Sequence, residues 1–557
     1  MNKKLKIGLL LDSYQVPAWV FEMIHKLINS SFCEIVLVVK NKDCNDPKIS
    51  LLKKIILKRK TILYSLFTKL ENKFVKCKPD AFELKDLRDI LNNVETLEVT
   101  PIRNKFRDII NDNDIEIIKK NNVDIFIRLG FRILSGEILK VAKYGVWSYH
   151  HGDNKVNRGG PPGFWEVYEN NYETGVILQI LTEDLDDGIV LYKSFSSTRN
   201  ISPKRNKNNY YWKALSFLPS KIEELYKIGN VEFFNNIKDY NPEINFYCNK
   251  LYKTPNNKEM LIFLVKIILR FIKKGILKLF YYKQWIILYN INKNPIISFS
   301  LYKYKSIIPP KDRFWADPFC IEKNNKFYIF IEEFLYSTNK GHISVLEIDK
   351  HGNYSKPIKV IEKNYHLSYP FLIEYDNNLY MIPESAQNNT IELYKCIKFP
   401  YEWELKKIIM NNIKAVDTTV FFKDNKFWLF TNISRNKGAS SHDELFLFYA
   451  DDLLSDNWHP HPLNPIVSDV KKARPAGNIF FYNGNLYRPS QNCSKIYGYG
   501  VVINKIIELN EFTYKEIVVD NILPNWSKNL LGVHTFNWSN NLSIIDAFVK
   551  RNRFKFK

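Results

Sequence analysis

The sequence contains few of the residues that would indicate a fold held by disulfides or metal. Its seven cysteines are scattered and form no Cys-x-x-Cys pair, so neither a disulfide framework nor a zinc site is encoded. Nowhere do 18 apolar residues follow one another without a charge, which argues against a membrane-spanning helix. The first apolar run is broken by Asp12 and has no small-residue cleavage site after it, unlike a secretory signal. We therefore expect a cytoplasmic protein without a bound metal.

The composition excludes the unusual classes of chain. Hydrophobic residues make up 45% and charged residues 25%, with only 20 glycines and 24 prolines in 557 residues. These proportions are typical of globular proteins and exclude a collagen-like or largely disordered chain. The length predicts several domains rather than one core.

Three regions are predicted along the chain. Residues 1–205 alternate short apolar strands, such as 7–10 and 124–128, with helical stretches, which predicts an α/β domain with a Rossmann-like parallel sheet. Residues 206–283 are predicted to be helices and a linker. Residues 284–557 contain short aromatic strands separated by Asp-Asn, Asn-Asn and Asn-Gly turns, which predicts an all-β domain. These turns are predicted at Asn324-Asn325, Asn377-Asn378, Asp424-Asn425, Asn483-Gly484 and Asn540-Asn541.

The linker contains a strongly basic stretch. Nine lysines or arginines and one acid lie between residues 250 and 284, and Lys266, Arg270, Lys274 and Lys278 recur every four residues. The pattern predicts an amphipathic helix. Three interpretations stay open: a helix buried between domains, a helix docked on an anionic membrane at the inner face, and a nucleic-acid surface. Nucleic acid is the interpretation that we favour least.

The last region contains a fivefold repeat. Its segments are FWADPFCIEKNNKFYIFIEEF, SYPFLIEYDNNLYMIPES, VDTTVFFKDNKFWLFTN, RPAGNIFFYNGNLYRPSQN and VHTFNWSNNLSIIDAF. A polar-aromatic cluster, an apolar strand, a turn and a second strand recur in each, as in four-stranded blades. The repeat predicts a five-bladed β-propeller, closed by pairing of residues 285–289 or 296–302 with the last blade.

One stretch of the first region indicates chemistry. Residues 148–165 read SYHHGDNKVNRGGPPGFW, and Thr174-Gly175-Val176 and Leu185-Asp186-Asp187-Gly188 follow. In a parallel sheet, ligands bind beyond the carboxyl ends of the strands, and His150 ends a predicted strand. A histidine relays protons near neutral pH, and a carboxylate beside it fixes its tautomer. We predict that Asp186 is that partner.

At these residues the sequence resembles the formyltransferase family, which moves the formyl group of 10-formyltetrahydrofolate onto an amine. The family pattern is Asn-x-His, an Arg-Gly eight residues past the histidine, a nearby proline, then Thr-Gly-Val and Leu-Asp-x-Gly. Here His150, Arg158-Gly159, Pro161 and the two later motifs match it, over roughly residues 1–205. The resemblance implies a formyltransferase fold, an enzyme, and 10-formyltetrahydrofolate as co-substrate.

The resemblance also implies roles for single residues. His150 and Asp186 are the catalytic pair, and Ser148 stands where the family has its catalytic asparagine, so a hydroxyl replaces the amide that would contact the formyl oxygen. This departure leaves open a first domain that is an inactive scaffold. The expected folate-binding residues are Gly130, Phe131, Ile133, Leu134 and Asp187, and the expected substrate-loop residues are His151, Asn154, Arg158 and Gly159.

The substrate is predicted to be an amino sugar. A propeller replaces the small β-barrel of family members that act on initiator tRNA, which favours nucleotide-linked amino sugars for surface polysaccharides. The phrases FWADP, SYP, PES, DTT and RPAGN resemble the N-terminal domain of plant glucosamine inositolphosphorylceramide transferases, and the five blades resemble propeller glycosidases. Blade-end residues are predicted to form a glycan-binding funnel, with the alternative that their side chains only bond to one another: Trp315, Asp317, Tyr369, Glu384, Asp417, Arg474 and His534. A hydrolytic propeller, a non-catalytic carbohydrate-binding protein and formylation of aminoacyl-tRNA are the alternatives.

Overall fold

The computed structural model describes residues 3–43, 59–104, 106–156, 158–184, 188–241, 251–291, 301–539 and 541–554. The chain divides into two compact units. Unit 1 consists of Met1–Leu269 with Arg435–Ser440, and unit 2 consists of Arg270–Ser434 with Ser441–Lys557. Unit 1 is an α/β unit whose main sheet contains parallel strands, and unit 2 is largely antiparallel β.

The described residues of unit 1 form these strands: β1 (Leu5–Leu11), β2 (Gln15–Pro17), β3 (Cys33–Asn41), β4 (Leu84–Asp86), β5 (Glu95–Val99), β6 (Ile102–Asn104), β7 (Arg107–Ile109), β8 (Ile125–Arg128), β9 (Ile133–Ser135), β10 (Val146–His150), β11 (Arg158–Gly159), β12 (Glu173–Ile180), β13 (Ile189–Ser197) and β14 (Leu251–Tyr252). The helices are α1 (Ala18–Ile28), α2 (Ile62–Phe74), α3 (Asp112–Lys119), α4 (Ile138–Val141), α5 (Trp165–Glu169), α6 (Pro203–Ala214) and α7 (Phe217–Asn236), with a 3-10 turn at Lys238–Tyr240. Helix α8 (Asn257–Phe280) follows.

The seven strands of the main sheet lie in the order β13-β12-β10-β8-β1-β3-β5. Strands β1, β3, β5, β8 and β10 are parallel, and β12 and β13 add an antiparallel edge. The central strands carry apolar side chains on both faces, so the sheet is buried between two apolar layers. The predicted α/β class with a parallel sheet is confirmed.

The described residues of unit 2 form these strands: β15 (Tyr281–Ile291), β16 (Lys305–Ile307), β17 (Arg313–Lys323), β18 (Lys326–Leu335), β19 (Lys340–Ile348), β20 (Ile358–Ile361), β21 (Ser368–Tyr375), β22 (Asn378–Ser385), β23 (Thr390–Lys398), β24 (Glu402–Asn411), β25 (Ala415–Lys423), β26 (Lys426–Ile433), β27 (Glu444–Ala450), β28 (His459–Pro460), β29 (Val467–Ser468), β30 (Phe480–Tyr482), β31 (Asn485–Asn492), β32 (Gly500–Leu509), β33 (Tyr514–Ile522), β34 (Leu530–Gly532), β35 (Phe536–Ser539) and β36 (Leu542–Asn552). Two 3-10 turns lie at Leu301–Lys303 and Ala386–Asn388.

These strands form antiparallel sheets in which consecutive strands are mostly neighbours. Four sheets have the paths β17-β18-β19-β20, β21-β22-β23-β24, β25-β26-β27-β28 and β30-β31-β32-β33, and another has the path β16-β15-β36-β34. In that last sheet β15 pairs with β36 over eleven residues, from Tyr281 with Asn552 to Ile291 with Leu542. The expectation that residues 285–289 pair with the last strands is thus confirmed, while residues 296–300 of the alternative segment lie outside the described residues.

The predicted turns join the first two strands of these sheets. Asn324-Asn325 and Asp424-Asn425 have the positive φ values that a two-residue hairpin of this type requires. The second turn lies at Asp376-Asn377, one residue before the predicted Asn377-Asn378, because Asn378 already pairs with Tyr375. The predicted turn at Asn540-Asn541 includes Asn540, which is outside the described residues.

The first strands of three sheets share an irregularity at equivalent places. Asp317, Tyr369 and Asp417 have φ values of 50°, 46° and 51°. At each of them the register with the second strand shifts. Left-handed backbone is costly for residues other than glycine, and such outliers cluster at functional sites. All three belong to the predicted funnel.

Candidate functional site

The connections of the main sheet of unit 1 reverse direction at β1. The chain runs from β1 outward to β3 and β5, and then returns to β8 and β10 on the other side. Such a switch point leaves a crevice beyond the carboxyl ends of the two strands that flank it, here β1 and β8. Asp12 follows β1, and Leu129 and Gly130 follow β8, so these residues border the crevice.

His150 lies at the carboxyl end of β10, the strand next to β8. Ser148 pairs in register with Arg128, the last residue of β8. Because side chains alternate along a strand, Ser148 and His150 share one face, and Trp147 and Tyr149 point into the apolar layer on the other face. The Arg128 guanidinium donates to the Ser148 hydroxyl at 3.3 Å. The structure thus places Ser148 and His150 together at the predicted edge.

The loop after β8 is held by charged side chains. Asp12 accepts a hydrogen bond from the backbone N–H of Phe131 at 2.9 Å, and buried Asp108 accepts from the backbone N–H and the guanidinium of Arg132. Arg128 donates to the carbonyls of Phe131 and Arg132. At Gly130 a Cβ would lie 2.3 Å from the backbone nitrogen of Asp12, so only glycine lets the loop pass this close to β1.

The predicted folate-binding residues lie in this loop and in β9. Gly130, Phe131 and Leu134 are buried, and Ile133 is half-buried. The Phe131 and Leu134 side chains belong to the apolar layer, so a ligand in the crevice would contact the backbone of these residues rather than their side chains. Next to them, the buried Ser135 hydroxyl has no hydrogen-bond partner among the described residues. Asp186 and Asp187 lie outside the described residues.

The predicted substrate-loop residues have different surroundings. The His151 ring stacks on Tyr211 at 3.7 Å and meets Trp19 edge-on. Burial, reinforced by the charge of His150, lowers the pKa of His151 well below its usual value, so this ring is a neutral packing element. Asn154 is buried. The structure therefore does not present these two side chains on an open loop.

Arg158 and Gly159 form β11, which pairs with β14. Gly159 has a φ of 91°, and a Cβ there would lie 2.1 Å from the carbonyl oxygen of Tyr252. The glycine of the Arg-Gly motif is thus required by close strand pairing. The Arg158 side chain is outside the described residues.

A cavity of about 370 Å³ lies in unit 1 beside the proline pair that follows this motif. Its lining contains Pro161 and Pro162, aromatic rings, and the lysines Lys204 and Lys207. The ammonium of Lys207 lies 4.2 Å from the centre of the Phe82 ring, and burial lowers its pKa. The lining also contains the acids Glu71 and Asp80, and the Lys204 ammonium lies 3.6 Å from the Asp80 carboxylate. The cavity thus combines cations, acids and flat apolar walls.

Arg474 forms the strongest ionic contact among the predicted residues of unit 2. Its guanidinium binds both carboxylate oxygens of Asp417, at 2.5 and 3.1 Å, and donates to Glu384 at 3.3 Å. It also lies 2.9 Å from Nδ1 of His442. Gln491 donates to Asp417 at 2.6 Å. Arg474 is only 6% exposed, so this is a buried, multiply bonded charge cluster.

A second cluster surrounds Asp317. Its carboxylate accepts from the Thr535 hydroxyl at 2.7 Å and from the backbone N–H of Tyr369 at 3.3 Å. His534 lies between two carboxylates, 3.6 Å from Asp317 and 2.5 Å from Asp546. These three groups offer ligand atoms within 4.8 Å of one another, a spacing that a metal ion also accepts.

The two clusters are linked by electrostatics and by Tyr369. Burial raises the pKa of Asp317 to about 6, and burial together with the charge of Asp417 raises the pKa of Glu384 well above its usual value. Burial alone would lower the pKa of His534, but Asp546 and Asp317 raise it. The Tyr369 hydroxyl lies 2.8 Å from that of Thr419 and accepts from the backbone N–H of Gly477 at 2.8 Å. Six of the predicted residues therefore converge.

Trp315 does not join them. It is 6% exposed, lies in an apolar cluster with Ile287 and Ile331, and donates its indole N–H to Glu333 at 3.2 Å. Its ring therefore has no open face for a sugar.

Sequence reasoning missed several members of the clusters: His442, Gln491, Tyr497 and Asp546. It also missed Glu332, whose pKa is raised by burial and by the charges of the cluster acids. Tyr497 is 39% exposed, its hydroxyl lies 3.5 Å from the Arg474 guanidinium, and its ring packs under that guanidinium. Glu332 and Asp546 are acids within apolar strands, FYIFIEEF and SIIDAF, which is the signal that could have identified them. Nothing in the sequence around Tyr497 distinguishes it from other loop tyrosines.

The fold and clusters define a chain with an α/β unit, organised around a histidine at a sheet edge, and an all-β unit with buried acids. Residues 291–538 match the family model described as glucosamine inositolphosphorylceramide transferase 1, N-terminal. The protein of that name from Oryza sativa subsp. japonica is 34% identical over 210 residues, which cover 37% of this chain and 28% of the relative. The chain therefore spans less than a third of that relative's length.

The N-terminal region is similar to methionyl-tRNA formyltransferases. A protein of that name from Prochlorococcus marinus is 40% identical over 85 residues, 15% of this chain and 25% of that protein. Both resemblances noted in the sequence are thus confirmed. Among solved structures, a family 117 glycoside hydrolase from Zobellia galactanivorans is 12% identical with a TM-score of 0.32, covering 48% of this chain and 90% of that one. No helix in the described part of the chain is long and apolar enough to cross a membrane.

Proposed function

We propose that unit 1 transfers the formyl group of 10-formyltetrahydrofolate to the amine of a nucleotide-linked amino sugar, and that unit 2 binds glycan. The observation that carries the proposal is the shared face of Ser148 and His150 at the carboxyl end of β10. Similarity to methionyl-tRNA formyltransferases supports the chemistry, and similarity to a glucosamine inositolphosphorylceramide transferase supports the carbohydrate. We place the activity in the cytoplasm of a bacterium, in surface-polysaccharide synthesis.

The residues at the crevice fit a flat ligand with hydrogen-bonding edges. The backbone of the loop after β8 is rigidly held, and the Ser135 hydroxyl, unpartnered among the described residues, offers a buried polar group beside it. Residues Gly130–Leu134, in this proposal, hold the folate through their backbone. The folate supplies an activated formyl group.

The chain's own residues handle charge and protons at the reacting carbon. As the amine bonds to the formyl carbon, His150 takes up one proton from the amine nitrogen, and it passes this proton to the folate nitrogen whose bond to the formyl carbon breaks. The Ser148 hydroxyl donates to the developing oxyanion, and Arg128, which donates to that hydroxyl at 3.3 Å, orients it. Asp186 is proposed to fix the tautomer of His150. Substrate positioning supplies the remaining rate enhancement.

The cavity beside Pro161 and Pro162 is the proposed site of the nucleotide part. Lys204 and Lys207 suit phosphate groups, and the rings of Tyr64 and Phe82 in its lining offer flat apolar surfaces to a base. This assignment would place the nucleotide next to the Arg-Gly motif.

The sheets of unit 2 are proposed to be the five blades of a propeller, with the charge clusters at its axis. A sugar would stack on the exposed ring of Tyr497 and bond through its hydroxyls to Glu384 and Arg474. The raised pKa of Glu384 and the carboxylate of Asp417 beside it also suit acid–base chemistry on a glycosidic bond. Hydrolysis is therefore the second candidate function of this unit.

Formyl transfer is tested directly by mass spectrometry. The purified protein is incubated with 10-formyltetrahydrofolate and a panel of nucleotide-linked amino sugars. We expect one sugar to gain a formyl group and tetrahydrofolate to be released in equal amount. A parallel incubation with methionyl-tRNA identifies the rival substrate, and formylation of that tRNA alone would overturn the sugar assignment.

Ser148→Asn tests whether the site is a variant of the family's usual one. Since an amide reaches further than a hydroxyl and also donates a hydrogen bond, we expect the rate of formyl transfer to be kept or raised. The initial rate at saturating folate measures this. A variant that folds but loses activity would show that the pocket around Arg128 requires serine.

Tyr497→Ala tests the glycan surface of unit 2. Losing an exposed aromatic platform should weaken glycan binding about tenfold, measured by calorimetry with a glycan first found on an array. Tyr302→Ala is the matched control, since this tyrosine is also exposed and lies in unit 2. Equal weakening in both variants would argue against a site at Tyr497.

A further inference from the structure

Helix α8 has an unusually exposed apolar surface. Nine large apolar side chains, each at least 40% exposed, follow one side of the helix: Leu261, Ile262, Val265, Ile268, Leu269, Ile272, Ile276, Leu279 and Phe280. Their spacing of three and four residues places them on one stripe along the whole helix. We call these nine residues the apolar stripe.

The buried side chains of α8 lie in its first part. Met260 and Phe263 are buried in a cluster with Phe164 and Trp165, and Lys266 lies over the Tyr168 ring at 4.0 Å. From Phe271 to Phe280 every residue is exposed. Exposed apolar patches of this extent mark interaction surfaces.

The side of α8 opposite the apolar stripe is basic in the second half of the helix. The whole helix has six cations and one acid, Glu259. At 100° per residue, Arg270, Lys274 and Lys278 lie on the opposite side together with exposed Phe271, whereas Lys273 lies near the border of the stripe and Lys258 lies on the stripe side at the first turn. A helix with a wide apolar face and a basic polar face is typical of segments that lie in the interface of an anionic bilayer.

The charge decides between the possible occupants of the stripe. A second copy of the helix would place another net positive charge beside this one, and like charges repel. An anionic lipid surface instead attracts the lysines while its acyl chains receive the apolar side chains. Helix α8 is not apolar enough to cross a membrane.

We propose that α8 is a membrane anchor that lies in the surface of an anionic bilayer, with the apolar stripe in the acyl region and Lys273, Lys274 and Lys278 at the phosphates. The inference stands apart from the proposed formyl transfer. It would hold the protein at the surface where lipid-linked or surface-bound sugars are assembled.

Flotation of the full-length protein with vesicles tests the proposal. We expect binding to phosphatidylglycerol–phosphatidylcholine vesicles, weakening as salt rises, and much weaker binding to phosphatidylcholine alone. Ile272→Gln/Ile276→Gln/Leu279→Gln changes no charge and should lower binding more than about 100-fold. Lys273→Gln/Lys274→Gln/Lys278→Gln should lower it on the order of 100-fold.

Two matched control variants remove the same kinds of side chain, in equal number, from exposed positions outside α8. Lys311→Gln/Lys356→Gln/Lys406→Gln removes three exposed lysines, and Ile397→Gln/Leu405→Gln/Ile517→Gln removes three exposed apolar side chains. Both controls should bind vesicles within about threefold of the wild type, since they leave α8 intact. Because all these positions are exposed, circular dichroism should show unchanged folding.

Three results would overturn the proposal. The first is that the wild-type protein does not bind anionic vesicles. The second is that the α8 variants and their controls lose vesicle binding equally, which would mean that binding depends on the general protein surface and not on α8. The third is a wild-type dimer in light scattering that the apolar α8 variant converts to a monomer, which would make the stripe a contact between copies.

Discussion

Replacing His150 by alanine is expected to lower the turnover of formyl transfer about 100-fold or more. Without the imidazole, the proposed acceptor for the proton of the attacking amine is lost, and general acid–base catalysis contributes about 10²–10⁴-fold. The folate and sugar contacts are left in place, so KM should change much less than kcat. Single-turnover formylation with saturating folate measures the effect.

His25→Ala is the matched control for this variant. His25 lies exposed on α1, where its ring stacks on Phe21, and its loss should leave turnover within about twofold. If His150→Ala kept more than about a tenth of the wild-type rate, the proton would have another acceptor and the proposed role of His150 would be wrong.

Arg474→Met is expected to destabilise unit 2 by about 3–5 kcal/mol, because it leaves buried Asp417 and Glu384 without their cation. Calorimetry should show the transition of unit 2 lowered by about 10 °C. The pKa of Glu384, already raised by burial, should rise further. A folded state that binds this proton more tightly than the unfolded chain loses stability as pH rises through the raised pKa.

The loss of stability that Arg474→Met causes in unit 2 should therefore be smaller at about pH 5 than at about pH 7.5. Arg488→Met separates stability from binding. Arg488 is also buried, and its guanidinium donates two hydrogen bonds of 2.9 Å to the Glu516 carboxylate. We expect Arg488→Met to be destabilised but to bind glycan like the wild type, whereas Arg474→Met loses binding. An unchanged transition temperature in Arg474→Met would show that the carboxylates do not depend on this guanidinium.

The fold was largely predictable because its signals are local. Two short-range patterns predicted most of the structure. They are the apolar runs of β1, β3, β8 and β10, and the Asn-rich hairpin turns. The position of His150 could be predicted because the apolar run of β10 itself shows where the strand ends. The position of the second hairpin was wrong by one residue, since Asp376 tolerates positive φ as well as Asn377 does.

The surroundings of single side chains were less predictable, because they depend on contacts distant in sequence. His151 follows His150 directly, yet its ring stacks on Tyr211, a residue much later in the chain. Trp315 shares a motif with Asp317, but the backbone irregularity at Asp317 breaks the alternation of side chains along β17, and the Trp315 ring is buried in an apolar cluster with its N–H on Glu333. Tyr497 joins Arg474 only through the folding of an irregular loop, for which no sequence pattern exists.

The pairing of β15 with β36 has a consequence for how the chain is made. Tyr281 and Asn552 are neighbours in the folded protein, so unit 2 cannot complete its sheets until residue 552 has left the ribosome. Contacts between residues so far apart in the sequence form slowly. Until they form, β15 presents an unpaired, aromatic-rich edge to other nascent chains. A chain that stops before residue 542 would lack β36 altogether and leave that edge open permanently. We therefore expect truncated products to be aggregation-prone and to depend on chaperones, although most of unit 2 has been synthesised.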